Sequence, residues 1–170
     1  MDALFQMQSN ELSTATQKDK LFKDAERQWN TLSSEKGVST RKVDREIYKS
    51  ILYNLEIRKV YLDSKLSLEK FSSIVGTNTT YLSNTVNRYF GCNLKQLINR
   101  YRIEYAKHLL LEKKHPVALL FKECGFASQS VFYAAFHKVA GTSPLQFLYM
   151  HRQNEEKNLK SFYNNNILSF

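Results

Sequence analysis

Two prolines and five glycines in 170 residues leave too few turn formers for a sandwich or a barrel, so the fold class expected is all-α. The two cysteines, Cys92 and Cys124, have no further Cys and no His at ligand spacing, which excludes a disulfide framework and a zinc site. Cys124 sits beside apolar residues at a helix end and reads as a small core residue. Cys92 follows Gly91 in a turn and is expected to be an exposed thiol. No apolar run approaches the roughly 18 residues a membrane span needs, and no charged n-region with an apolar h-region opens the chain. A soluble, cytoplasmic chain without membrane contact is therefore expected. Paired carboxylates, a Ser/His/Asp set, a Gly-rich phosphate loop and a ligand cluster are all missing, so neither an enzyme nor a cofactor nor a metal is expected.

What is present is apolar material and positive charge. At 42% hydrophobic residues the chain can bury a core, and its net charge is +9. That charge is uneven: Lys and Arg against Asp and Glu stand at 11 to 9 over residues 1–61, 12 to 5 over 62–152 and 2 to 2 over 153–170. The middle block is thus the expected contact for a polyanion.

The middle block also repeats. "GCNLKQLI" (91–98) falls on "GTSPLQFL" (141–148) at an offset of 50, and at that offset Leu82, Val86 and Tyr89 fall on Phe132, Phe136 and Val139. At an offset of 49, Leu68, Phe71, Val75 and Gly76 fall on Val117, Leu120, Cys124 and Gly125. Each copy reads as a short helix, a turn with Gly, and a longer helix whose end is again marked by Gly. Ser67 is the expected N-cap of the first short helix, Asn78 or a neighbouring Thr caps the next, and Asn93 caps a third. In the second copy Pro116 suits a first helical position, Ser128 caps the longer helix, and Ser143 with Pro144 opens the last. Motif one is placed at 67–90, a linker helix at 94–113, motif two at 116–140 and a closing helix at 144–152. The linker's stripe is Leu94, Leu97, Ile98, Tyr101, Tyr105 and Leu109. About twenty residues make a rod of roughly 30 Å, close to the roughly 34 Å between successive major-groove faces of B-DNA.

Over residues 62–150 the chain resembles the DNA-binding domain of AraC/XylS-type regulators. The run Gly125-Phe126, Ser128-Gln129-Ser130, Phe132, Phe136, Lys138, Gly141 and Ser143-Pro144 looks like that family's signature. The resemblance implies a bacterial, sequence-specific regulator, mostly of the activator kind, that binds double-stranded DNA through one helix of each motif and touches RNA polymerase. Two departures stand out: Phe121 replaces a usual small alanine on the short helix of motif two, matching Ser72 in motif one, and Ala134 takes an outward position often held by a long side chain. The second motif is therefore expected to read bases more weakly, or mainly to grip the backbone.

Helices 78–90 and 128–140 are the expected readers. Asn84 and Gln129 can pair bidentately with adenine, Thr80, Ser83 and Ser130 can donate or accept, and the Tyr133 ring can touch a thymine methyl. Arg88, Lys95, Arg100, Arg102, Lys107 and Lys138 are the candidate phosphate contacts. Plainer roles stay open for some of these: Thr79, Thr80 and Ser128 also suit caps, Arg102 also suits a pair with acidic neighbours or a cap on carbonyls, and His137 reads as a surface residue. Domain 41–152 is led by an amphipathic helix over 41–62, with Val43, Ile47, Ile51 and Leu55 at spacing four beside Tyr48 and Leu52. Extension 1–40 carries another helix over 19–37, with Leu21, Phe22, Ala25 and Trp29 inward and "GVST" after it. These helices suit an extension of the core, pairing of two chains into a homodimer, or the stub of a longer sensor protein. The polar tail, 153–170, is expected to be mobile in part. The competing reading is a helical interaction or dimerisation module of a larger sensor-regulator, without specific DNA readout of its own.

Overall fold

The computed structural model describes residues 14–36, 42–112 and 116–167, and among them there are helices and no strand. In chain order the helices are α1 (Thr14–Lys36), α2 (Lys42–Leu52), α3 (Leu68–Val75), α4 (Thr79–Phe90), α5 (Leu94–Glu112), α6 (Leu120–Glu123), α7 (Gln129–Ala140) and α8 (Pro144–Ile167). A π-turn spans Tyr53–Ile57, and 3-10 turns span Val60–Leu62 and Val117–Leu119. The chain divides into two compact units, residues 1–102 and 103–170, and α5 runs without a break across the division.

The repeat is written in caps. Ser67 Oγ accepts from Lys70 N at 3.1 Å, Asn78 Oδ1 from Tyr81 N at 2.9 Å, Ser128 Oγ from Val131 N at 3.4 Å and Ser143 Oγ from Gln146 N at 3.2 Å. Each of these satisfies an amide that a helix start leaves without an intrahelical partner. Asn93 and Gln96 close a reciprocal box, Asn93 N donating to Gln96 Oε1 at 3.1 Å and Gln96 N to Asn93 Oδ1 at 2.9 Å. The Gln96/Gln146 match at offset 50 is thus a capping match. Helix ends use glycine for backbone reasons: Gly76 and Gly91 have φ of 80° and 65°, and a Cβ at either would meet nothing within 4 Å. It is the left-handed conformation that demands Gly there, not shortage of space.

In the first unit α1 and α2 pack on each other, and α2 packs on α4. Ala25 and Trp29 of α1, Tyr48 and Leu52 of α2 and Tyr89 of α4 form one buried cluster, with Leu21 and Phe90 half-buried against it. The Trp29 ring lies 4.3 Å from Tyr89 and 5.6 Å from Tyr48, centroid to centroid. Burial of each large side chain contributes about 1.5–3 kcal/mol, so α1 and α2 belong to the core behind motif one. Ile47, Ile51 and Leu55 are buried as the spacing predicts. The side chain of Val43, residues 37–40 and Lys113 lie outside the described residues.

Several boundaries differ from expectation; α1 begins at Thr14, five residues before the expected start at 19. The helix expected over 41–62 stops being α-helical at Leu52, because Asn54 is buried and its Nδ2 donates to Ser50 O at 2.8 Å, the carbonyl that its own amide would use in an α-helix. Arg58 N instead reaches Tyr53 O at 3.2 Å, and Lys59 turns the chain at φ 49°. Pro116 is not the first helical residue but the extended cap (φ −61°, ψ 130°) of the 3-10 turn that precedes the single turn of α6. The closing helix does not end at 152: α8 continues through the polar segment to Ile167.

The second unit is organised by Ile103, Ala106, Leu109 and Leu110 of α5, Leu120, Cys124 and Phe126, and Phe132, Ala135 and Phe136 of α7. Phe121 is half-buried against this cluster, where the matching Ser72 in motif one is buried and donates to Glu69 O at 2.8 Å. Both cysteines are buried. For Cys124 that was the expectation. For Cys92 it is a correction: the turn folds the thiol inward, and burial raises its pKa against the lowering effect of Arg100, which leaves it a poor nucleophile.

Candidate nucleic-acid interface

Both longer helices of the repeat divide by face. On α4 the inward residues are Leu82, Thr85, Val86 and Tyr89, all buried. Thr80, Tyr81, Asn84, Asn87 and Arg88 are exposed and Ser83 is half-buried. On α7 Phe132, Ala135 and Phe136 are buried, while Gln129, Ser130, Val131, Ala134, His137 and Lys138 are exposed. Thr80 with Asn84, and Ser130 with Ala134, stand one turn apart, so each outward face runs along its helix. Asn78, not a threonine, caps α4, which leaves Thr80 outward in the first turn. Ser128 is the cap of α7, and its Oγ lies 3.1 Å from that of Ser130.

Tyr133 stands differently from the other candidates. It is half-buried, packs against the second core cluster and meets Phe132 edge to face at 5.6 Å. Only part of its side chain is open to a ligand. In its neighbourhood stands an exposed side chain that the sequence alone does not single out, Val131, which is 50% exposed. Tyr81, its partner at offset 50, is 44% exposed. The signal was in the register itself: each stands three residues after a cap, Asn78 or Ser128. Large apolar groups held out in water at matched positions of two matched helices suit the thymine methyl.

The basic candidates separate by partner. Lys95, Arg100 and Lys138 are exposed. Arg88, in the last turn of α4, sets Nη1 3.4 Å from Asp44 Oδ2 of α2. Lys107 is half-buried, donates to Glu104 Oε1 at 2.7 Å and lies 5.9 Å from the centre of the Phe147 ring. Arg102 is a correction to the expected phosphate contacts. It is buried, its Nε donates to Tyr61 O at 2.6 Å and its Nη2 to Asp63 O at 2.8 Å. The guanidinium closes two carbonyls at the end of a 3-10 turn, one of its two alternative readings, and in that position it holds α5 to the segment before α3.

A second polar anchor lies beside it. Tyr101 Oη donates to Glu56 Oε1 at 3.1 Å. Burial pushes the Glu56 carboxyl up to about 7, the bond from Tyr101 opposing this and nearby Asp24 adding to it. Burial also raises the Tyr101 phenol well above its ordinary value. Both anchors serve the fold. Among the described residues no group of three or more His, Cys, Asp or Glu is placed to hold a metal ion, and no helix is long and apolar enough to cross a membrane.

Residues 71–150 match the sequence model of a family described as a helix-turn-helix domain. The chain is 29% identical over 92 residues to the "Probable transcriptional regulator LumQ" of Photobacterium leiognathi, covering 54% of this chain and 37% of that protein. It is 28% identical over 94 residues to the melibiose operon regulatory protein of Escherichia coli K12, covering 55% and 31%. The matched stretch thus spans about a third of the length of these relatives. Among solved structures, the C-terminal domain of AraT, a response regulator from Geobacillus stearothermophilus, is similar at 28% identity and a TM-score of 0.55, over 62% of this chain and 84% of that one. The C-terminal domain of the two-component response regulator yesN from Fusobacterium nucleatum is similar at 26% and 0.51, over 58% and 95%. With two capped helix-turn-helix motifs, their register of 50 and these relatives in agreement, residues 71–150 are a double helix-turn-helix domain of the AraC type.

Proposed function

We propose that the chain is a sequence-specific regulator of transcription that binds double-stranded DNA, with α4 and α7 as readers of two successive major-groove segments and α5 as the spacer. The observation that carries this reading is the pair of matched helices, each capped at its start, buried on one face and presenting an outward face of amides, hydroxyls and one large exposed apolar side chain. Phosphate contacts are indifferent to sequence, whereas groups of this kind fit base edges. Thr80, Ser83 and Asn84 with Tyr81 serve as the readers of the first motif, and Gln129 and Ser130 with Val131, and the open part of Tyr133, as those of the second. Ala134 weakens the second set. Arg88, Lys95, Arg100 and Lys138 grip phosphates, with Lys107 in a lesser role given its bond to Glu104.

An activator role with a contact to RNA polymerase belongs to the same proposal, by analogy with the family. Pairing of two chains through the N-terminal helices would use their outward faces, since Ala25, Trp29 and Tyr48 are buried within the chain. The test is a salt titration of duplex binding by fluorescence anisotropy. About five to seven phosphate contacts give a log-log slope of roughly −4 to −6. A slope near zero rules the DNA reading out.

A further inference from the structure

Arg88, a candidate phosphate contact on a reading helix, has a carboxylate from outside the motif beside it, and that pair assigns a role to the helix before the domain. Asp44 lies in the first turn of α2, and its side chain is 13% exposed against 48% for Arg88. The carboxylate therefore sits behind the guanidinium, with the exposed part of the arginine on the solvent side. The backbone under both partners is fixed: Tyr89 and Phe90, next to Arg88, pack with Tyr48 of α2 at 5.8 and 5.2 Å between centroids, and Trp29 of α1 stacks on Tyr89. An arginine fork has five donors in one plane, so a carboxylate on one nitrogen also sets the direction of the others.

We propose that Asp44 is a positioning residue for DNA binding: it aims Arg88 at a phosphate beside the first reading helix, and so makes α2 part of the DNA-binding machinery. The proposal rests on the reading of Arg88 as a phosphate contact. It predicts a sign opposite to bulk electrostatics. Removing a negative charge from a protein that binds a polyanion ordinarily strengthens binding, whereas removing Asp44 is to weaken it. A plainer role for Asp44 is support of the α2 start, where an acidic side chain interacts favourably with the helix dipole. That role predicts lower thermal stability and no change in the number of phosphate contacts.

The experiment measures anisotropy of the full chain on a duplex recovered from a randomised pool, across a salt series, for wild type, Asp44→Asn, Asp44→Glu, Arg88→Gln and the double variant Asp44→Asn/Arg88→Gln. Trp29 fluorescence checks that each variant is folded at the assay temperature. The expected result is a 3- to 10-fold loss for Asp44→Asn with a slope shallower by about one contact, restoration by Asp44→Glu, and no further loss when Asp44→Asn is added to Arg88→Gln. Tighter binding by Asp44→Asn, or the same loss in the Arg88→Gln background, overturns the proposal. If Arg88→Gln binds as wild type does while the wild type keeps its duplex preference, the positioning role falls and the DNA reading stands. If the wild type shows neither preference nor salt dependence, both fall.

Discussion

Arg102 shows how a single side chain changes the expected phenotype. As a phosphate contact it would, when replaced by Ala, weaken binding to every duplex alike. With Nε and Nη2 committed to the carbonyls of Tyr61 and Asp63, Arg102→Ala instead removes two charge-assisted bonds and costs about 3 kcal/mol of stability. The expected outcome is a lower thermal midpoint, with an unchanged salt slope for DNA binding wherever the variant is folded. Its neighbour gives a pH test. The Glu56 carboxyl is raised from its ordinary value to about 7, so the folded state holds its proton over a range where the unfolded chain releases it. Stability from this group is full below about pH 4.5 and is lost as pH rises to about 7, on the order of 3 kcal/mol in all. Glu56→Gln, which keeps an oxygen for Tyr101, should flatten the stability profile between those values, as followed by urea unfolding. A profile as steep as that of the wild type contradicts the assignment. A carbonyl cap by Arg102 is among the roles the sequence offers, but its partners are not legible there, because Tyr61 and Asp63 lie about forty residues away, and Glu56 meets Tyr101 across a separation of 45 residues. Caps such as Ser67, Asn93 and Ser143 were legible for the opposite reason, since each acts on an amide three residues away.

At the scale of elements, helices α4, α5 and α7 are visible in the sequence to within a residue or two, because glycine stops and polar caps bracket an apolar period. The elements that differ are those whose ends depend on a buried polar group or on absent punctuation. Leu52 carries no breaker, and the helix loosens there through Asn54. No Gly or Pro follows Pro144, and α8 runs on to Ile167. The exposed Tyr81 and Val131 are not legible as outward groups, because apolar residues on these helices read as core until the faces are known. Helix α5 carries the sharpest test at this scale. Its nineteen residues make a rod of about 28 Å at 1.5 Å per residue, and the two units meet in sequence between Arg102 and Ile103. One Ala inserted there keeps the contacts within each unit and turns everything after it by about 100°. Binding to the full site should fall by at least tenfold, while binding to a duplex carrying only the segment read by α4 stays within about twofold of wild type. An insertion variant that binds the full site normally removes the spacer role of α5.

For the whole molecule, the positive charge and the outward faces of α4 and α7 are divided. Residues 62–152 hold most of the +9, but the outward faces of α4 and α7 are largely uncharged apart from Arg88 and Lys138 near their ends. On the proposed reading, affinity would come from basic groups around these faces and discrimination from the faces themselves. The sequence showed this division through composition alone, whereas the role of α1 and α2 behind motif one appeared only with the packing of Trp29 on Tyr89. The most direct test is a binding selection from randomised duplexes at fixed salt, for wild type, Asn84→Ala and Gln129→Ala. The expected result for the wild type is a preference in two segments centred about 10 base pairs apart. Asn84→Ala should relax the first segment at a cost of about 1–3 kcal/mol, and Gln129→Ala should relax the second by less, because Ala134 leaves that helix with fewer reading groups. A wild-type selection with no preferred sequence, or the same two-segment preference in all three proteins, would contradict the proposed reading.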